Sequence, residues 1–77
     1  MISSEQIRAA KAILRWSGEQ LAERAGVSLS TIRRVESSIG IPEMQNMKTL
    51  VLIKNALEEG GVEFIGTPED RPGVRLK

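Results

Sequence analysis

Apolar residues recur at helical spacing along the first part of the chain, and residues that can cap a helix precede them. Ile7, Ala10 and Leu14 fall on one face at i, i+3 and i+7 spacing, which predicts an amphipathic helix. Ser3 can cap this helix, since Gln6 stands three residues later and can reach back to the cap N–H. The first predicted helix therefore begins after Ser3 and ends shortly before the next capping signal.

Two further helices are predicted in quick succession. Ser17 and Gln20 form a second capping box. Gly26 ends this helix at a position expected to need a positive φ, and Ser28 can cap the helix that follows. Very short connections make neighbouring helices cross sharply. The inward-facing residues predicted for the two helices and their turn are Leu21, Ala22, Ala25, Val27, Ile32 and Val35.

A loop and a fourth helix follow. Gly40 and Pro42 break any helix across residues 38–46, and Asn46 can cap the next one. Gly60 and Gly61 end that helix. Its predicted buried stripe contains Met47, Leu50, Ile53, Ala56 and Leu57.

The apolar period changes from helical to alternating after residue 61. Val62 and Phe64 alternate with polar or outward positions, and Val74 and Leu76 do the same further on, which predicts two short strands. The Gly- and Pro-containing stretch of residues 66–73 between them predicts a turn region. A hairpin of two strands is marginal in water, so it must pack on the helices or on another chain.

The length allows one domain, which we predict to cover residues 1–77, with a helical part at 1–60 and the hairpin at 61–77. The predicted fold is mainly α, a compact unit of four to five helices with a C-terminal β-hairpin. The chain has no Cys and no His, which excludes disulfides, imidazole catalysis and most zinc sites. No acidic residue stands in a motif with a nucleophile. We therefore expect no enzyme activity, no metal and no cofactor.

Charge is unevenly distributed, although the net charge is only +1. Residues 1–57 hold eight basic and five acidic side chains, a net +3, and residues 58–77 hold three and five, a net −2. A basic region suits a polyanion, but such an excess is also ordinary for a solvated helical surface. The longest apolar run has four residues and no apolar signal core follows Met1, so we expect a cytoplasmic protein without a membrane span.

The third predicted helix is the most informative element. With Ile32 and Val35 turned inward, it directs Leu29, Ser30 and the pair Arg33-Arg34 away from the core. A helix with such a face can enter the major groove of DNA, which is about 12 Å wide.

This segment resembles the helix-turn-helix of the phage Cro/repressor family of transcription regulators, the xenobiotic-response-element (XRE) type. The resemblance runs without gaps from about Ile7 to Glu36. It implies a lambda-repressor-like fold and sequence-specific binding to double-stranded DNA. The later part, through Gly-Val-Glu-Phe at 61–64 and Pro-Gly-Val-Arg-Leu at 72–76, resembles a small bacterial branch of the family. The matching residues of the central motif are Trp16-Ser17, Leu21-Ala22, Ala25-Gly26-Val27-Ser28, Thr31-Ile32, Arg34 and Glu36.

The resemblance also implies residue roles. Many relatives carry Gln where Gly18 stands, so only a backbone contact carries over there. Leu29 replaces a residue that is often polar, and it can offer only an apolar contact. Lys11 and Glu36 match positions that form an ion pair in relatives. The implied base-reading residues are Ser28, Leu29, Ser30 and Arg34. The implied phosphate contacts are Ser17, Gly18, Thr31, Arg33 and Lys48.

Other interpretations of these residues stay open. Ser28 serves first as a helix cap, Arg33 and Arg34 can be a solvated face, and Trp16 is better explained as a core ring than as a stacking platform. The alternative function is a protein-interaction module, such as an antitoxin-like partner. Because one helix reads few base pairs, we predict a homodimer formed by the fourth helix and the hairpin. Its rival is a monomer whose hairpin covers its own fourth helix.

Overall fold

Four helices are followed by a two-stranded antiparallel sheet in the computed structural model, which describes residues 2–38 and 47–77. The elements are α1 (Ser4–Leu14), α2 (Gly18–Ala25), α3 (Leu29–Glu36), α4 (Met47–Glu59), β1 (Val62–Thr67) and β2 (Asp70–Leu76). The loop predicted at residues 38–46, apart from Ser38, and the predicted cap Asn46 lie outside the described residues. Within the described ranges, no helix is long and apolar enough to cross a membrane.

Local capping signals fix the starts of α1 and α2, as predicted. The backbone N–H of Gln6 donates to Ser3 Oγ at 3.1 Å, and the Ser3 N–H donates to Gln6 Oε1 at 2.8 Å. Ser17 and Gln20 repeat the same two hydrogen bonds at 3.1 and 2.8 Å. Arg15 ends α1 in the left-handed conformation with φ 58°. Both capping boxes are therefore confirmed.

The turn between α2 and α3 depends on Gly26, which has φ 73°. The N–H groups of Gly26 and Val27 both donate to the carbonyl of Ala22, at 2.9 and 3.0 Å. This arrangement satisfies the end of α2 and reverses the chain at once. The next helix, α3, then begins at Leu29 behind its cap Ser28. The predicted positive φ is confirmed.

An aliphatic core joins all four helices to the first residue of the hairpin. Ile7, Leu21, Ile32, Ile53, Leu57 and Val62 are completely buried. One prediction about this core is wrong, because Met47, expected on the inner stripe of α4, is 50% exposed. Met47 is the first residue of its helix, where few neighbours can cover it.

The strands are longer than the sequence pattern indicates. The stretch of residues 66–73 was expected to form a turn, but β1 continues to Thr67 and β2 begins at Asp70. The register shifts between Ile65 and Thr67. Gly66 lies in this irregularity with φ 73°, and a Cβ there would stand 2.3 Å from the carbonyl oxygen of Arg71. The strand pairing therefore continues past Gly66, to Thr67 and Asp70.

The hairpin packs on its own helices. Gln6 of α1 donates from Nε2 to the carbonyls of Ile65 and Gly73, at 3.2 and 3.1 Å. Both strands contact α1, and β1 also contacts α4. Val51 and Leu52 of α4 nevertheless remain 49% and 36% exposed. The hairpin therefore leaves this part of the fourth helix open.

Candidate nucleic-acid interface

The first residue of α2 lies against α3. A Cβ on Gly18 would stand 3.4 Å from Leu29 Cδ1 and 3.7 Å from Ile32 Cγ2. Leu29 is half-buried at this contact, whereas the sequence pattern directs it away from the core. Its outer part is still available, but Leu29 also closes the gap between the two helices.

The outer face of α3 carries exposed cations. Arg33 and Arg34 are both exposed, and so is Ser30 at the start of the helix. Among the described residues, neither guanidinium has an acidic partner within ion-pair distance. Guanidinium groups in this position can bind phosphate oxygens or the acceptor edge of guanine without first breaking an ion pair.

Three hydroxyl groups meet at the N-terminus of α3. Ser28 Oγ accepts the N–H of Thr31 at 3.2 Å, as a helix cap does. It also lies 2.8 Å from Thr31 Oγ1 and 3.1 Å from Ser30 Oγ. The structure thus joins two implied base-reading residues, Ser28 and Ser30, to an implied phosphate contact, Thr31.

Three side chains of α1 hold the C-terminal end of α3. Ser4 Oγ donates to the carbonyl of Val35 at 2.7 Å in a fully buried position. Arg8 donates from Nη1 to the carbonyls of Glu36 and Ser38, where a cation also complements the helix dipole. Lys11 Nζ lies 2.6 Å from Glu36 Oε1, which confirms the implied ion pair.

The sequence pattern missed Ser4 and Arg8 in this role. Together with Lys11 they follow i, i+4 and i+7 spacing, so they form one polar stripe beside the apolar face of α1. That stripe is the signal that could have identified them. Their partners are backbone carbonyls some 30 residues away, and no local pattern points to those.

The start of α2 has backbone groups available for an anion. Ser17 Oγ accepts the N–H of Gln20, so the hydroxyl keeps its own proton for donation. The N–H groups of Gly18 and Glu19 stand in the first turn, where helical amides lack partners within the helix. The exposed carboxylate of Glu19 lies in the same turn. Lys48, the remaining phosphate candidate, is exposed in the first turn of α4.

Trp16 packs between the core and the side chain of Arg24. The ring is half-buried and packs on the core, with the guanidinium of Arg24 4.5 Å from its centroid. A Cβ on Gly60 would stand 2.6 Å from Trp16 Cη2. The ring therefore packs tightly at the end of α4, as expected for a core residue.

Two helices joined by a glycine turn, with the second exposing hydroxyls and guanidiniums, define a helix-turn-helix domain of the kind that binds DNA. The helix-turn-helix family matches residues 7–52, more than half of the chain. The chain belongs to this family, in its Cro/C1 or XRE type, and has the lambda-repressor-like fold. The family is one of DNA-binding domains and is not known for catalysis. A comparison with curated proteins gave no match.

Proposed function

We propose that this protein is a sequence-specific transcription regulator that reads the major groove with α3. The observation that carries the proposal is that α3 is held by α1 on one side and exposes cationic side chains on the other. Its C-terminal end is tied to α1 through Val35 and Glu36, while Arg33 and Arg34 are exposed. A rigidly held helix with a cationic outer face meets the requirement for a reading element.

The residue types favour base contacts at some positions of the interface and phosphate contacts at others. Arg34 is the candidate for bidentate binding to a guanine edge, with Ser28, Leu29 and Ser30 as further base contacts. The proposed phosphate contacts are Ser17, Gly18, Thr31, Arg33 and Lys48. Ser17 and Gly18 support this assignment because they offer a hydroxyl proton and a first-turn amide. A regulator of this kind acts where the DNA is, which in a bacterial cell is the cytoplasm.

A salt titration with duplex DNA tests the proposal. The full chain is expected to bind random duplex with an affinity that falls steeply as salt rises, and to bind a selected site more tightly. The double variant Arg33→Ala/Arg34→Ala is expected to lose affinity and to show a shallower salt dependence. Retention of the wild-type affinity and salt slope by this variant would exclude α3 as the DNA-binding face.

The matched control lies on the hairpin. Arg71→Ala/Lys77→Ala also removes two positive charges, but from exposed positions of the C-terminal segment. That segment packs on α1 and α4. This variant is expected to bind DNA nearly as the wild type does, and sedimentation equilibrium is expected to show an unchanged oligomeric state, which the control needs because the hairpin belongs to the proposed dimer interface. An equal loss in both double variants would mean that net charge, and not the face of α3, governs the affinity.

The proposal includes a homodimer formed through α4 and the hairpin. Supporting it, Met47 and Val51 border an apolar groove together with Ile2 and Leu50, and Leu52 is exposed nearby in sequence. Ile65 and Leu76 add exposed apolar surface on the hairpin. Two copies related by a two-fold axis would present two reading helices to successive turns of DNA, about 34 Å apart, and would bind a roughly palindromic site.

Sedimentation equilibrium measures the oligomeric state directly. Truncation after Gly61 is a poor test because it removes Val62, which is completely buried. The point variant Val51→Glu/Leu52→Glu is preferable, since both side chains are exposed. It is expected to shift a dimer to monomer, whereas Ala9→Glu/Ala12→Glu, at two exposed positions of α1, controls for the added negative charge. A wild-type chain that stays monomeric at high micromolar concentration, alone and on DNA, would overturn the dimer.

A protein-interaction module is the second candidate function. The exposed apolar residues of α4 favour it, since Met47, Val51 and Leu52 could seat another protein instead of a second copy. The same salt titration discriminates between the two functions. A module that only binds protein should show no salt-dependent affinity for DNA.

A further inference from the structure

We infer that the three linked hydroxyls at the start of α3 couple a phosphate contact to base choice, so that Ser30 selects a base with an amino group in the major groove, adenine or cytosine. The inference rests on the proposed function and names the specificity of one residue within it. It follows from counting the protons and lone pairs available to Ser28, Ser30 and Thr31.

Ser28 is the centre of this group. Its Oγ has three neighbours: the Thr31 N–H at 3.2 Å, Thr31 Oγ1 at 2.8 Å and Ser30 Oγ at 3.1 Å. A hydroxyl has one proton and two lone pairs. The backbone N–H of Thr31 occupies one lone pair. Ser28 must therefore donate to one of the other two hydroxyls and accept from the second. Its Oγ then has no hydrogen bond left for a base while the network is intact, so a base contact of Ser28 would require the network to open.

Only two proton orders satisfy this count. In the first, Thr31 donates to Ser28 and Ser28 donates to Ser30, so Ser30 keeps its proton for an outside acceptor. In the second, Ser30 donates to Ser28 and Ser28 donates to Thr31, so Thr31 keeps its proton and Ser30 presents only lone pairs outward. Ser30 and Thr31 therefore do not both donate to DNA while the network is intact.

A phosphate contact selects between the two orders. Phosphate oxygens accept hydrogen bonds and do not donate them, so Thr31 can bind phosphate only in the second order. Ser30 then faces the base edges as an acceptor. In the major groove the donors are adenine N6 and cytosine N4, whereas guanine O6 and N7 and thymine O4 are acceptors. Ser30 is thus a specificity-determining residue that favours adenine or cytosine at one position.

The experiment selects sites from a randomised duplex pool with the wild type, Ser30→Ala, Thr31→Val and Thr31→Ser. The position at which Ser30→Ala loses its preference identifies the base opposite Ser30. The wild type is expected to favour adenine or cytosine there, by about fivefold for one hydrogen bond. Thr31→Val removes the hydroxyl but keeps the backbone N–H. It is expected to weaken binding on all sequences and to reduce that preference to near unity, because Ser30 can then donate as well as accept.

Thr31→Ser is the matched control, since it restores a hydroxyl and is expected to restore the preference. A base analogue gives an independent readout. Where adenine is selected, its replacement by purine, which lacks the amino group, should cost the wild type about fivefold and Ser30→Ala nothing. A preference for guanine or thymine, or one that Thr31→Val leaves intact, overturns the inference alone. A wild type without sequence preference overturns the inference and the proposed function together.

Discussion

The hydroxyl of Ser4 near the start of α1 donates to the carbonyl of Val35 in the last turn of α3, 31 residues away and fully buried. This hydrogen bond holds α3, the proposed reading helix, from its inner side. We expect Ser4→Ala to lower the free energy of unfolding by about 1 kcal/mol. The loss is no larger because the Val35 carbonyl also accepts a backbone N–H from Ser38. Chemical denaturation measures it, and Ala9→Ser, at an exposed position of the same helix, serves as a control expected to change little.

The two arginines of α3 should respond differently to truncation. Arg34→Ala is expected to cost roughly 1–3 kcal/mol on the selected site and to relax preference at one base pair. Arg33→Ala is expected to weaken binding about equally on all sequences and to reduce the salt slope by about 1. Binding isotherms on the selected site and on a scrambled duplex, each at two salt concentrations, separate the two effects. Identical profiles for both variants would contradict the assignment.

Glu19 places an exposed carboxylate in the first turn of α2, whose amides are the proposed phosphate contact. We expect Glu19→Gln to increase DNA affinity on all sequences, because it removes repulsion from the phosphate. The same change should lower stability by about 0.3–1 kcal/mol, since an acidic group at a helix N-terminus is stabilising. Glu23→Gln, one turn further along α2, controls for net charge and should raise affinity less. Unchanged DNA affinity of Glu19→Gln would contradict the proposal that the start of α2 contacts DNA.

Gly26 and Gly60 are both required, for different physical reasons. Gly26 has φ 73° with open space around a Cβ, so Gly26→Ala should cost about 1–2 kcal/mol in backbone strain. A Cβ on Gly60 would overlap Trp16 at 2.6 Å and Leu14 Cδ1 at 2.8 Å, so Gly60→Ala should cost about 1–3 kcal/mol through overpacking. Fluorescence of Trp16, the single tryptophan, should change in Gly60→Ala but not in Gly26→Ala. A change in both would contradict this distinction.

The exposed face of the hairpin carries a pH-dependent pair. Arg75 Nε donates to Glu63 Oε1 at 2.6 Å, and this hydrogen bond, with the charge of Arg75 and a smaller effect of Lys77, lowers the pKa of the Glu63 carboxyl. The pair therefore stabilises the hairpin above the ordinary carboxyl pKa, and the stabilisation is lost as pH falls through the lowered pKa. By NMR titration, Arg75→Gln should raise the pKa of Glu63 towards its ordinary value, and Lys77→Gln should raise it less.

Sequence reasoning predicted the features that depend on neighbours in the chain. The caps Ser3, Ser17 and Ser28 each act on a residue three positions later, and the positive φ of Gly26 follows from its place after a helix. Features that depend on distant partners were not predictable in the same way. The irregularity at Gly66, which lengthens the strands, exists only because β2 pairs with β1.

The candidate site shows the same division. The exposed position of Arg33 and Arg34 follows from the helical period once Ile32 is placed inward. The partial burial of Leu29 does not, because it depends on how closely α2 approaches at Gly18. The sequence pattern describes one helix at a time, whereas this contact is set by the packing of two helices.

The hydrogen bonds of Gln6 link α1 to the hairpin, and this link affects when the fold can form during translation. One amide side chain caps α1 through Ser3 and binds the carbonyls of Ile65 and Gly73, contacts that span up to 67 residues of sequence. During synthesis α1 emerges before the hairpin residues that Gln6 binds, which follow it by 59 and 67 residues. Contacts of such long sequence separation slow folding. The native packing of α3, which rests on α1, should therefore form only after translation has passed the hairpin. A ribosome-bound chain that stops before residue 62 should then lack the proposed specific binding to DNA.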